Sequence, residues 1–351
     1  MFTYTETPLK DIWEHIRFLS IENNCKRLLK GEIKSSRTLI YSDEDILNKK
    51  SKEISMCLRQ ADEYFTASEA TSINTSPLLL FYGMLSLSKA LIVANKKDLY
   101  LDNIKYHGLE TRPRYDFLKT YNDNPENWNI EKEYAVTNDG VFSHLLEILD
   151  DFTFPKSSVI EFKEIIKCIP ELWGIYEKYY NESSNVLGLY SKDEKTEPDY
   201  SLKLSISGKD PKKILTIIPE LQNDFEIGKE LYHSQAVVFT SKSITEFPKY
   251  IGTYRPQFGG NYIIKGVKYF NGTDYKNEFI SLESLDYISM FILSVCVRYK
   301  QVLWRQIISG EKSGSISLIN LYIKSIKRRF PNIILNKFFN ERFVYGSSGY
   351  L

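Results

Sequence analysis

The sequence predicts an α+β fold, predominantly a helical bundle, with a small antiparallel β insertion and C-terminal helices that pack back on the bundle. Three observations carry that expectation. Apolar residues recur at helical spacing through much of the N-terminal third and again after residue 281. Between residues 200 and 270 the pattern switches to short segments rich in β-branched residues. No repeat, low-complexity tract or flexible linker interrupts the chain. The expected organisation is therefore an N-terminal bundle over 1–110, a mixed loop and helix region with the β insertion over 111–280, and C-terminal helices over 281–351.

Element by element, residues 8–30 place Leu9, Ile12, Trp13, Ile16, Leu19 and Ile21 near helical period, an amphipathic helix. A second helix is expected over 43–70, opened by the acids Asp43, Glu44 and Asp45, where the helix dipole favours them. Pro77 stands where a third helix begins, at a position that tolerates its missing N–H. Residues 78–94 are apolar on nearly every face, so this helix is expected at the buried centre of the bundle. Residues 106–128 are rich in Pro, Asn, Asp and Arg and read as loop. An extended piece, an Asn-Asp-Gly turn and a helix follow over 131–151, and a helical stretch interrupted by Pro170 over 159–180. Strands are expected at 200–207, 213–219, 234–241 and 261–270, the last closed by the Asn271-Gly272 turn signal. Residues 281–308 return to helical period and end at Ser309-Gly310. A last helix over 317–329 is expected to stop before Pro331, with the tail docking as a short helix.

Composition removes whole classes of function. The 351 residues, 42% hydrophobic and 26% charged, describe a globular chain with ample core. The formal net charge of +1 excludes a globally basic nucleic-acid binder. The N-terminus shows no basic segment followed by an apolar block, and the apolar stretches at 77–94 and 288–297 are too short or too interrupted to require a membrane, so a cytoplasmic protein is expected. The four cysteines are widely spaced with no paired motif, and His15, His107, His144 and His233 fall in no metal-ligand spacing, so neither a metal nor a cofactor is expected. Phosphate-binding loops, dinucleotide-binding glycines and a nucleophile elbow are all missing.

Several residues remain as candidates. Tyr82 and Lys89 share one face of the apolar helix, because a spacing of seven is two turns. His107 precedes Arg112 and Arg114 in a proline-containing segment that can present all three to an anion; they are the candidate catalytic set. Arg255, in a Tyr-Arg-Pro loop, raises the same possibility. Arg298, Tyr299 and Trp304 read either as a helix-surface cation with its neighbours, as a polar anchor against the β insertion, or as part of a binding site. Lys324, Lys327, Arg328 and Arg329 form a local basic patch that reads as a helix end favoured by the dipole or as a nucleic-acid surface.

The stretch CLRQADEYFTASEATSINTSPLLLFYGMLSLSKALI (57–92), then HGL at 107–109, YHSQ at 232–235, RYKQVLW at 298–304 and PNIILN at 331–336, resembles the bacterial YaaC-like family from about Trp13 to Asn336. That resemblance implies no particular chemistry. The long helix carrying Tyr82 and Lys89-Ala90-Leu91, followed by His107-Gly108, is also similar to the HEPN superfamily of small helical bundles. This similarity implies a ribonuclease or nucleotide-binding partner of bacterial toxin and antiphage systems, with Tyr82 and Lys89 on the inner helix and His107 opening the next element. Active ribonucleases of that superfamily carry Arg, four to six residues, then His; no Arg precedes any histidine here at that spacing. Two functions therefore stand open. One is an effector in stress or antiphage defence acting on RNA or a nucleotide. The other is a non-catalytic scaffold or regulator binding a partner protein, and a homo-oligomer is compatible with either.

Overall fold

The computed structural model describes residues 2–5, 7–112, 128–195, 200–243, 246–255, 260–311 and 314–346. In chain order the elements are β1 (Phe2–Tyr4), α1 (Pro8–Leu19), α2 (Glu22–Leu29), α3 (Glu44–Ala70), α4 (Ser76–Asn95), β2 (His107–Glu110), β3 (Tyr134–Gly140), α5 (Val141–Asp150), β4 (Val159–Glu161), α6 (Phe162–Ile166) and α7 (Trp173–Tyr180). There follow β5 (Val186–Lys195), β6 (Ser201–Ser207), α8 (Pro211–Ile217), α9 (Leu221–Asp224), β7 (Phe225–Ile227), β8 (Ala236–Ser241), β9 (Ile251–Tyr254), β10 (Asn261–Lys265), β11 (Val267–Phe270) and β12 (Tyr275–Glu278). The chain closes with α10 (Leu282–Tyr299), α11 (Gln301–Ile308), α12 (Ser315–Phe339) and β13 (Val344–Gly346). Two compact units result: Met1–Phe162 with Ser281–Leu351, and Lys163–Ile280.

The first unit is built round α4. Pro77 occupies its first turn, and the helix packs against α3, α5, α10 and α12. By length and composition Ser76–Asn95 could cross a membrane, yet 78% of its most apolar window is buried inside the protein. Gly83 lets α3 come close, since a Cβ there would stand 2.6 Å from the Phe65 ring. The C-terminal carbonyls of α4 would be left without partners in the core. Lys50 of α3, with no exposed surface, donates from Nζ to the carbonyls of Val93, Lys96 and Leu99 at 2.9, 2.9 and 3.0 Å. Arg37 donates to the carbonyls of Ala94 and Leu39. Asp150, closing α5, caps α10 by accepting from the Ser281 N–H at 2.7 Å and from the hydroxyls of Ser281 and Ser284. Strands β2, β3 and β4 run antiparallel beside these helices, and β1 pairs in parallel with β13.

The second unit carries a six-stranded antiparallel sheet in the order β7-β8-β6-β5-β10-β9. Leu202, Leu204 and Ile206 alternate along β6 onto a core shared with Phe225, Phe239, Ile263 and α8's Ile214. A β11–β12 hairpin turns at Asn271, whose Oδ1 accepts from the N–H groups of Thr273 and Asp274.

This architecture corrects the expectation of a predominantly helical bundle with a small insertion. Helices take up 51% and strands 20% of the described residues, and one unit is organised by a sheet of six strands. Strand β5 escapes sequence reading because residues 191–195 are largely exposed and charged, so the ten-residue element lacks an apolar alternation. Segment 213–219 is not a strand: Asp210 caps α8 by accepting from the Lys212 N–H, and Pro211 starts the helix, which outweighs the β-branched content. His107–Glu110 is strand β2 rather than loop, held by pairing with β3 that no local signal announces. The helices expected over 8–30 and 281–308 break at Ser20–Ile21 and at Lys300. Helix α12 instead continues through Pro331, where burial of Ile326, Phe330, Ile334 and Phe338 compensates a proline cost of about 3 kcal/mol.

Candidate functional site

Four of the sequence-derived candidates are brought to one face of the first unit. Tyr82 and Lys89 project from α4 two turns apart, both half-buried. The Tyr82 ring stacks on Tyr64 of α3, with centroids 5.7 Å apart and planes at 28°. Its hydroxyl accepts from Arg298 Nη1 at 3.2 Å. Arg298 sits in the last turn of α10 and is braced from behind, Nε donating to the Ser294 carbonyl and Nη2 to the Ser294 hydroxyl. Its guanidinium lies 5.0 Å from the Tyr299 ring centroid.

His107 arrives from another direction. It opens β2, and Gly108 next to it takes φ +81°, where a side chain would drive into the Phe142 backbone. The His107 carbonyl accepts from the Tyr287 hydroxyl at 3.1 Å, and the ring meets Phe81 edge to face at 5.6 Å. Burial holds the imidazole below its ordinary pKa, and the nearby charges of Arg298 and Lys89 lower it further. His107 is therefore neutral at pH 7, with two cations in electrostatic reach. None of the ion pairs among the described residues involves Lys89 or Arg298. Lys89 also acts on Cys57, whose thiol burial pushes up to about 11, so that sulfur stays an inert thiol.

The end of α10 is fixed by a second polar group that sequence reading missed. Lys300 leaves helical geometry and donates to both Glu133 oxygens, at 2.6 and 2.8 Å; Glu133 is buried and also accepts from the Trp128 indole N–H. That anchor holds the helix break after Tyr299, which is left 70% exposed. Chemically, the face offers two cations, a proton acceptor and a phenol.

A family model described as YaaC-like Protein matches residues 17–338. The chain belongs to the YaaC-like family. No curated protein and no solved structure matches it. All four residues of this YaaC-like face, Tyr82, Lys89, His107 and Arg298, fall inside the matched span.

The other candidates lie apart. Arg112 is exposed beyond the end of β2, and Arg114 lies outside the described residues. Arg255 is exposed at the end of β9 in the second unit. Trp304 is 4% exposed in the packing of α11, which makes it a core residue. The basic run 324–329 does not end a helix, because α12 continues ten residues beyond Arg329 to Phe339. Its members also face different surroundings. Lys324 is exposed, Lys327 and Arg328 are half-buried, and Arg329 is buried in a two-point ion pair with Asp286 at 2.6 and 2.8 Å. Burial lowers the Lys327 pKa. Arg329 is thus a structural residue, and the run is no continuous cationic surface. Among the described residues no group of three or more His, Cys, Asp or Glu is placed to hold a metal ion, and all four cysteines are free and buried.

Lys50, Arg37, Glu133 and Lys300 went unread in the sequence. A signal existed for Lys50, which stands in the apolar stripe Leu47, Lys50, Ser51, Ile54 where a solvated lysine has no place. No comparable signal exists for Glu133 and Lys300, whose pairing spans 167 residues.

Proposed function

We propose that this YaaC-like protein is a cytoplasmic component of a bacterial stress or antiphage system that binds a phosphate-bearing ligand, nucleotide or nucleic acid, at the Tyr82, Lys89, His107, Arg298 face. The observation that carries the reading is the pair of half-buried cations outside the ion pairs, set around a neutral imidazole. Removing cations partly from water without a counter-charge is costly, and a bound anion supplies that charge. Arg298, held rigid by Ser294 and Tyr82, presents its remaining N–H groups in a fixed fork suited to phosphate oxygens. Lys89 adds a mobile point charge. His107 adds a third contact once protonated, and it is the group on this face able to accept a proton from a ligand.

Isothermal titration calorimetry with tripolyphosphate at low ionic strength tests this. The wild type should bind, and a Lys89→Ala/Arg298→Ala variant with an unchanged circular dichroism spectrum should bind at least about a hundredfold more weakly, the loss of two charge-assisted contacts worth roughly 1.5–3 kcal/mol each. Equal affinity in the two proteins would remove the site and leave the scaffold reading, a surface for a partner protein, ahead.

A further inference from the structure

The face of Tyr82, Lys89, His107 and Arg298 calls for a definite amount of negative charge. Both charges that act on the His107 imidazole are positive, those of Arg298 and Lys89, and His107 itself is neutral at pH 7. Lys89 and Arg298 are half-buried and enter none of the ion pairs among the described residues. Glu53, which with Lys89 acts on Cys57, is engaged elsewhere: its Oε2 accepts from the Leu101 N–H at 2.9 Å, and its charge acts on the buried Lys50. Two positive charges therefore stand without a counter-charge.

Hydrogen-bond donors on the face are likewise left over. A guanidinium has five N–H groups and accepts nothing. Three on Arg298 are engaged, one each from Nε, Nη1 and Nη2, which leaves one on each Nη. Because Arg298 only donates, the Tyr82 oxygen is the acceptor in their 3.2 Å contact, and the phenol keeps its own proton for another partner. Among the described residues nothing accepts that proton.

We infer that this face takes a terminal phosphate, the phosphomonoester end of a nucleotide or of a nucleic-acid strand, whose dianion lies against Lys89 and Arg298 and accepts a hydrogen bond from the Tyr82 hydroxyl. The inference rests on the phosphate-binding reading above and narrows it. A phosphomonoester carries about 1.5 to 2 negative charges at pH 7 and gathers three acceptor oxygens at one point. An internal diester carries a single charge, so it would leave one of the two half-buried cations uncompensated. Two cations, a neutral imidazole and a free phenolic donor therefore match the end of a chain better than its middle.

Isothermal titration calorimetry of the full-length protein at pH 7.5 and low ionic strength tests this. Three probes share a base and a ribose: adenosine 5′-monophosphate, its methyl ester at the phosphate, and the 3′,5′-cyclic monophosphate. The first brings a dianion and the others a single charge. The wild type should bind the monophosphate at least about tenfold more tightly than either diester, the worth of one charge-assisted contact. Tyr82→Phe, with an unchanged circular dichroism spectrum, should bind the monophosphate about tenfold more weakly than the wild type. Lys89→Ala should erase most of the preference for the monophosphate over the methyl ester, since one remaining cation gains little from a second charge. Adenylate decamers with a 5′-phosphate or a 5′-hydroxyl distinguish the two sources. A phosphorylated decamer bound more tightly than the monophosphate assigns the ligand to a strand end, and one bound no better assigns it to a free nucleotide. A methyl ester or a hydroxyl decamer bound as tightly as the monophosphate, or a Tyr82→Phe variant that binds like the wild type, overturns the inference. If all these ligands are nonetheless weakened in the Lys89→Ala/Arg298→Ala variant, only the inference fails. If the wild type binds none of the probes, or the double variant binds them undiminished, the phosphate site fails with it.

Discussion

Replacing Arg329 by methionine should damage the fold far more than neutralising any other cation of the 324–329 run. The structure sets the magnitude. Arg329 donates through Nε and Nη2 to the two Asp286 oxygens at 2.8 and 2.6 Å, and the side chains are only 6% and 0% exposed. In Arg329→Met the Asp286 carboxylate stays in the core of the α10–α12 contact without its counter-charge. Breaking a buried pair in this way costs about 3–5 kcal/mol. For a cooperative unit of this size, roughly 2–4 °C are lost per kcal/mol, so Tm should fall by about 6–20 °C. The double variant Asp286→Leu/Arg329→Met removes both charges and should recover to within about 1 kcal/mol of the wild type. Acid should also rescue the single variant in part. There Asp286 is held protonated in the fold and ionises when the chain unfolds. The folded state then binds more protons above the ordinary aspartate pKa of about 3.9, and stability falls as pH rises through that window. Urea unfolding of the three proteins, followed by tryptophan fluorescence at pH 5 and pH 7, measures all of this. A single variant within about 1 kcal/mol of the wild type, or a double variant no better than the single, would refute the reasoning and return Arg329 to the surface cations.

Further outcomes follow from the same geometry. Lys50→Met leaves the Val93, Lys96 and Leu99 carbonyls without their donor. It should cost about 3 kcal/mol or more in urea unfolding, whereas Lys52→Met on the exposed side of α3 should cost less than about 0.5 kcal/mol, and equal losses would contradict the capping role. Gly83→Ala puts a methyl 2.6 Å from the Phe65 ring and should destabilise by about 1–3 kcal/mol, while Gly83→Ala/Phe65→Leu should regain part of it; a neutral Gly83→Ala would mean the helices part freely. Because burial, Arg298 and Lys89 hold His107 below its ordinary pKa, a bound phosphodiester should draw a proton onto it. Affinity for a dinucleotide, whose diester does not titrate there, should therefore rise as pH falls from 8 to 5.5, and His107→Gln should flatten the profile. A slope unchanged in that variant would exclude His107 from contact with the anion.

What the chain sequence determined by itself is mainly local. Helix α3 begins at the Asp43 cap, α4 begins at Ser76-Pro77 and is buried along most of its length, and the β11–β12 hairpin turns at Asn271. Each is specified by residues within a few positions of one another, through capping, a fixed proline φ or an Asx turn. The Tyr82–Lys89 half of the site was legible for the same reason, since helical period alone puts those two residues on one face. The other half was not. Arg298 reaches Tyr82 across 216 residues, and the strand that presents His107 exists only because β3 pairs with it. The six-stranded sheet shows the same division: β6 alternates plainly, whereas β5, with its exposed charged end, is a strand by virtue of its partners β6 and β10. Only the tertiary structure decided which charges are satisfied inside and which stay half-buried outside the ion pairs. Lys50, Glu133, Lys300 and Arg329 are satisfied by carbonyls or counter-charges contributed from distant positions, whereas Lys89 and Arg298 enter none of those ion pairs. A sequence states that a residue is charged, but the cost of burying that charge, and so its role, depends on partners that only the folded chain brings within reach.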